Sequence, residues 1–384
     1  MIKVREALVG PDIVADSEVL QDHSVLVRDG RIEAIVPLRQ VPTDYSKREL
    51  GQGILTAGLV DIHTHGAGGR GFNEGDAGGH RQALEAYLAA GVTSLLPTMS
   101  AAPIEDLVAS LEVVDSIRSS AGLPRIEGAH LEGPYFSDAQ RGAQDPRTLR
   151  MPDDGSVEQL LDHARVIRMM SLAPELPGAV RLTERLVSLD IVAAAGHTDG
   201  RDEDLFACQR AGLSHVIHVF SGQSTTVREG PWRRPGMLEA TLASDLLTVE
   251  MIGDGKHLPP TLMKLAMRCL PDRLCLVSDS TPGAGLPDGS RYGMGDNEYL
   301  VEDGVGVTTD RTAFAGSTTL ISQMLPIVSQ LGVGLTDLIA MATSIPAHAA
   351  RLSEVGRIAP GYHADFALFD EALSLRSVAL AGRW

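Results

Sequence analysis

Histidines and carboxylates recur in this chain where short apolar runs end. His63 and His65 form an H-x-H pair after LVDI, Glu132 follows AHL, His197 follows VAAAG, His218 follows VI, and Asp279 follows LVS. Alternate residues of a strand point to one side, so both rings of the H-x-H pair can face a single ion. A lone histidine at a strand end is more often a hydrogen-bonded structural group, and His80, His130, His163 and His215 read as that or as surface residues. A lone aspartate there is often a helix N-cap, and Asp279 stands directly before Ser280-Thr281-Pro282. Six such groups ending five runs change the balance. Four imidazoles and two carboxylates collected in one buried place without a cation would be costly.

The set is large enough for one or two divalent ions. A two-ion hydrolase needs a bridging anion between metals roughly 3.5–4 Å apart. A carboxylated lysine cannot supply it from runs 2 to 6, since no lysine occurs between Lys47 and Lys256. Glu132 is therefore the natural bridge, with His63, His65 and Asp279 on one ion and His197 and His218 on the other. Nitrogen and oxygen ligands without cysteine favour Zn²⁺ and leave Fe²⁺, Mn²⁺ and Co²⁺ open. Such ions activate water and polarise a carbonyl, while Asp279 would move the proton from water to a leaving nitrogen. That chemistry is amide hydrolysis. Gly66-Ala67-Gly68-Gly69 lacks the spacing of a dinucleotide fingerprint, and no G-x-S-x-G elbow supports a serine hydrolase.

The elements that must carry these groups alternate. From about residue 54, eight apolar runs (GLVDIHTHG, TSLLPTMS, IEGAHLEGP, IRMMSLAPE, IVAAAGHT, HVIHVFSG, TVEMIGDGKH and LCLVSDST) are separated by amphipathic stretches such as HRQALEAYLAAG. This layout predicts an α/β fold, a (β/α)8 TIM-type barrel over residues 54–356, although an open parallel sheet would alternate in the same way. The Gly- and Asp-rich segment near 286–312 reads as an inserted hairpin. Residues 1–53 and 357–384 read as short strands that together form a small β-sandwich domain.

Composition narrows the partners. Hydrophobic residues make up 43% of the 384, enough for a large core, but aromatics only 4%, so that core is mainly aliphatic. The net charge of −17 argues against nucleic acid or an anionic membrane as a general partner. Cys208, Cys269 and Cys275 form no metal pair and no complete disulfide framework, which suits a reducing compartment. MIKVREALVGPDIV lacks the apolar run of a signal peptide, and the chain reads as cytoplasmic.

The chain resembles the N-acetylglucosamine-6-phosphate deacetylases of the amidohydrolase superfamily through AGLVDIHTHG, HLEGPYFS, AGHTDG, HVIHVFSG, GDGKH, LVSDST, AGSTTL and GRIAPGYHADFALFD, in that order. The resemblance implies a homodimer acting on a small amino sugar phosphate. It implies Glu132, His197 and His218 as principal metal ligands, Asp279 as catalytic acid/base, and His63 and His65 as the pair of two-metal members. It further implies that His257 contacts substrate and that Arg233 binds the sugar phosphate, often across the dimer interface. Read alone, Arg228, Arg233 and Arg234 make an ordinary solvated basic loop. Two departures touch the substrate pocket. Ser221-Gly222 stands for the family's Asn-Ala, and Gly142-Ala143-Gln144 for its Gly-Ala-His.

The expected reaction is removal of acetyl from an N-acetylhexosamine 6-phosphate, with the glucosamine compound first. The altered pocket leaves N-acetylgalactosamine 6-phosphate, an unphosphorylated amino sugar or an N-acyl amino acid as alternatives. Weaker rivals are a deaminase or cyclic-amide hydrolase and a non-catalytic sugar-phosphate-binding protein.

Overall fold

A computed structural model describes residues 5–384. Eight parallel strands form its centre: β1 (Leu59–Thr64), β2 (Val92–Ser100), β3 (Ala129–Glu132), β4 (Ile167–Leu172), β5 (Val192–Ala195), β6 (His215–Val216), β7 (Thr248–Ile252) and β8 (Leu274–Val277). Each pairs with the next in sequence order. Every residue of β1, β2, β3, β5 and β8 is buried, as expected of strands covered on both faces. The ends meet where β8 returns to β1. Asp279 N donates to His63 O at 2.9 Å, and His65 N donates to Ser280 O at 2.7 Å. These bonds close the ring beside the H-x-H pair and distinguish a barrel from an open sheet.

Helices cover the outside because their apolar residues fall on one stripe. In Ala179–Ser188 the buried residues are Ala179, Leu182, Thr183 and Leu186, spaced three or four apart. The preceding Ala77–Ala89 helix starts at Asp76, whose carboxylate accepts from the Gly78 and Gly79 N–H groups.

Both chain ends supply two further sheets. One is ordered Arg31–Pro37, His23–Arg28, Arg5–Val9, Ser46–Glu49. The other is ordered Leu375–Ala379, Phe366–Phe369, Ile54–Ala57, Asp12–Ala15, Glu18–Leu20. Leu8, Ile13, Val25, Leu55, Phe366 and Leu368 bury a core between them. Ile54–Ala57 thus belongs to the end-formed sheet. The boundary expected before residue 54 moves to Gly58, because ILTA pairs with Phe366–Phe369. The expected hairpin near 286–312 is also larger. Arg291–Met294, Asn297–Glu302, Val305–Thr308 and Phe314–Ser317 form a four-stranded antiparallel sheet. Its last strand bridges Ser317 to Ser280, so the insertion is anchored at the end of β8. No helix among the described residues is long and apolar enough to cross a membrane.

Candidate active site

The C-terminal ends of the barrel strands surround a cleft of about 210 Å³. His65, Glu132, His197, His218 and Asp279 line it, and His63 lies fully buried beneath them. Strand alternation alone would not aim all of these side chains inward. His197, His218 and Asp279 each follow a strand with positive φ, at 44°, 24° and 43°. Non-glycine residues rarely hold that conformation, and three together at one strand rim mark local strain kept where function needs it.

Glu132 is the hub. Its Oε1 lies 3.0 Å from His218 Nε2, 3.1 Å from His197 Nε2 and 3.6 Å from His63 Nε2. Its Oε2 lies 3.5 Å from His65 Nε2, which is 3.2 Å from Asp279 Oδ1. Tetrahedral ligands at 2.0–2.2 Å from zinc stand about 3.3 Å apart, so these spacings fit a ligand set. His63 Nε2 is buried without a hydrogen-bond partner, which a cation would satisfy. His63, His65 and Asp279 form one group able to hold an ion, and His63, Glu132 and His218 form another.

Burial alone would raise the Glu132 carboxyl, but hydrogen bonds from His197 and His218 hold it well below the usual range. Asp279 follows the same balance. Burial pushes it up, while the His65 hydrogen bond and the charges of His63 and His65 bring it below its ordinary value. It is therefore ionised at neutral pH.

Around these groups lies the rest of the cleft wall. Gln144 donates from Nε2 to Glu132 Oε2 at 2.6 Å, and its Oε1 accepts from Ala101 N at 2.9 Å. Ala143 and Ser221 also line the cleft. Ala143 O accepts from Tyr299 OH at 3.1 Å, tying this wall to the inserted sheet. Gly222 has φ +58°, and a Cβ there would lie 2.8 Å from His197 Nδ1 and 3.0 Å from Gln140 O. His197 Nδ1 donates to that same Gln140 O at 2.9 Å. His257 faces the cleft, with Nδ1 bonded to Asp254 Oδ2 at 2.8 Å and its ring against Phe314.

Arg233 is the exception. It sits on an exposed two-stranded hairpin, Val227–Glu229 with Trp232–Arg234, and does not line this chain's cleft. His80, His130 and His215 are buried and hydrogen-bonded, to Glu74 O, Ser171 Oγ and Glu250 respectively.

Three acidic groups escaped the sequence reading. Asp61 is buried, and its Oδ1 accepts from the backbone of His63 and Ser278. Burial drives its carboxyl up to about 7. Glu250 contacts His63 and His215, and Asp254 holds His257. Asp61 and Glu250 were visible as charges inside otherwise apolar runs, LVDIH and TVEMI.

The amidohydrolase family model matches residues 54–383. The chain belongs to the amidohydrolase family. Its relatives identify the branch as that of the N-acetylglucosamine-6-phosphate deacetylases, so it is a carbon–nitrogen amide hydrolase. The N-acetylgalactosamine-6-phosphate deacetylase of Escherichia coli O157:H7 is 30% identical over 95% of both chains. The N-acetylglucosamine-6-phosphate deacetylase of Haemophilus influenzae is 26% identical over 99% of both. Among solved structures, a mutant of the Mycobacterium smegmatis N-acetyl-D-glucosamine-6-phosphate deacetylase, in complex with N-acetyl-D-glucosamine-6-phosphate, superposes with TM-score 0.91, 30% identity and 99% of each chain covered. The Pasteurella multocida N-acetylglucosamine-6-phosphate deacetylase gives 0.92, at 26% identity and the same coverage.

Proposed function

We propose that this amidohydrolase removes the acetyl group from an N-acetylhexosamine 6-phosphate, with N-acetylglucosamine 6-phosphate as the first substrate to test. One observation carries the reading. Four histidines, Glu132 and Asp279 converge on one cleft at the end of the barrel where such folds place their chemistry.

Glu132, His197 and His218 would hold one divalent ion, and His63, His65 and Asp279 a second, with Zn²⁺ suited to the donors and Fe²⁺, Mn²⁺ or Co²⁺ also compatible. Bound there, divalent ions polarise the acetyl carbonyl and lower the pKa of water. The protein's own part is proton transfer and orientation. Asp279 accepts the proton of the attacking water at its carboxylate and returns it to the amide nitrogen as the C–N bond breaks, releasing acetate and the amino sugar. His257, held through Nδ1 by Asp254, presents Nε2 to the substrate. Gln144 fixes the Glu132 carboxylate and closes the cleft wall.

The phosphate contact requires a second copy. Arg233 lies outside its own cleft, on a hairpin whose Trp232 is 73% exposed. In a homodimer this hairpin would cover a partner's cleft and supply a guanidinium for bidentate phosphate binding. A cytoplasmic setting suits sugar phosphates and unpaired thiols.

A second reading keeps the reaction and changes the sugar. N-acetylgalactosamine 6-phosphate enters because one relative at 30% identity, from Escherichia coli, is named for that sugar and because Gln144 and Ser221 alter the pocket. Acetate release from N-acetylglucosamine and N-acetylgalactosamine, each with and without 6-phosphate, tests both using zinc-loaded enzyme. Turnover confined to one 6-phosphate names the sugar. Turnover of none, with metal bound, would overturn the amino sugar assignment.

A further inference from the structure

Glu250 rises from the middle of β7 into the barrel and has no contact with solvent. Its two oxygens serve three donors. Oε2 accepts from His63 Nδ1 at 2.7 Å and from the His218 backbone N–H at 3.2 Å, while Oε1 accepts from His215 Nε2 at 3.0 Å. His215 is itself braced, its Nδ1 lying 2.8 Å from Thr248 Oγ1.

A carboxylate can only accept, so His63 must carry its proton on Nδ1. Its other nitrogen, Nε2, is then a lone pair, and it is the buried atom left without a partner, 3.6 Å from both Glu132 Oε1 and Asp279 Oδ1. One side chain thus fixes His63's tautomer and ring plane and also anchors the backbone of His218. The three donors account for Glu250's contacts within the protein, yet they leave its negative charge in the same buried volume as Glu132 and Asp279. Three carboxylates crowded there call for more positive charge than one divalent ion supplies.

We infer that Glu250 is a positioning residue for a second ion: it orients His63 and supplies the charge that lets the His63–His65–Asp279 corner hold a metal beside the one at Glu132, His197 and His218. The inference rests on the two-ion reading proposed above. Outer-shell partners of ligating histidines typically change metal affinity 10–100-fold when removed.

The test is Zn²⁺ titration of metal-stripped wild type, Glu250→Gln and Glu250→Leu against a chelating chromophore, with elemental analysis of ions per subunit and melting of each stripped protein. Glutamine keeps the shape and one acceptor but removes the charge; leucine removes both. The expected wild type binds two ions. Glu250→Gln should bind the first ion as wild type does and the second about 10–100-fold more weakly. Glu250→Leu should lose the second entirely; should it fail to fold, the glutamine variant still decides. Wild-type affinity for both ions in Glu250→Gln would overturn the inference. Equal loss of both ions, with a lower melting temperature in the stripped protein, would reduce Glu250 to a structural buried acid and overturn it too. A single ion in wild type, unaffected by Glu250→Gln, would instead overturn the two-ion reading and the inference with it.

Discussion

Gln144 Nε2 donates to Glu132 Oε2 at 2.6 Å, so a neutral amide occupies the place beside the central carboxylate where the resemblance leads one to expect a histidine. The amide's other end accepts from Ala101 N, which pins its orientation. Hydrogen bonds to charged groups contribute about 1.5–3 kcal/mol, so Gln144→Ala should lower kcat/KM roughly 10–150-fold. Steady-state kinetics with metal content measured in parallel checks this. Unchanged kinetics would remove Gln144 from the working site.

Asp279 is placed by its backbone as much as by its side chain. Its N–H bonds to His63 O and its carbonyl accepts from Ser317 N at 2.8 Å, bonds that survive a change of side chain. Asp279→Asn should therefore keep the barrel while turnover falls about 10²–10⁴-fold, the usual share of a general acid/base. Substrate affinity should change far less than kcat. Pre-steady-state binding alongside kcat separates the two.

Asp254 offers a pH dependence with a defined sign. Burial opposes its charge, but hydrogen bonds from His257 and from the backbone of His257 and Lys256 hold the carboxyl at about 2, against an ordinary 3.8. A group depressed on folding stabilises the protein above its unfolded pKa, and that stability is lost as pH falls from about 4 toward 2. The shift corresponds to about 2 kcal/mol. Asp254→Asn should cost this amount at pH 7 and progressively less below pH 4. Denaturant melts of both proteins at pH 7, 4 and 3 measure the converging difference. The variant should also raise KM, because His257 loses the acceptor that orients it.

Arg233 gives a prediction about assembly. If its hairpin completes a partner's site, Arg233→Ala and Asp279→Asn each disable every site, yet a mixed dimer contains one intact site. Subunit exchange of equal amounts should recover about a quarter of wild-type sites on a phosphorylated substrate. No recovery, with exchange verified by mass, would confine Arg233 to its own surface loop.

The barrel and the convergence of the rim histidines and carboxylates were legible because each of those groups breaks an apolar run, and buried parallel strands permit few such breaks. Asp61 and Glu250 break runs as well, but mid-strand rather than at the rim, and position within a run does not reveal which groups sit beneath the cleft. The end-formed sheets were legible in texture only. Ile54–Ala57 reads like the barrel strand that follows it, since the sequence carries no marker of which sheet a buried strand joins. Arg233 was visible as a residue but not as a location, because the basic loop that carries it lies apart from its own cleft. The extent of the insertion was hidden too, its strands being short and joined by tight Gly turns.

Gly222 shows how one of the pocket's departures is built into the fold. The family's alanine would need a left-handed conformation here, costing about 1–2 kcal/mol, and would place its Cβ 2.8 Å from His197 Nδ1. His197 could relieve that contact only by leaving Gln140 O, the bond that aims Nε2 at Glu132. Gly222→Ala should therefore weaken metal binding and lower kcat together, each roughly 10–100-fold, as disturbing a ligand's supporting contacts does elsewhere. Gly142 borders the same ring, and a Cβ there would lie 3.5 Å from His197 Cε1. Zn²⁺ titration of Gly222→Ala beside Ser221→Ala checks the assignment, since Ser221 bonds His218 only through its backbone and its substitution should leave metal affinity unchanged. Equal metal affinity in Gly222→Ala and wild type would show that this loop adapts and that the missing methyl has no part in holding His197.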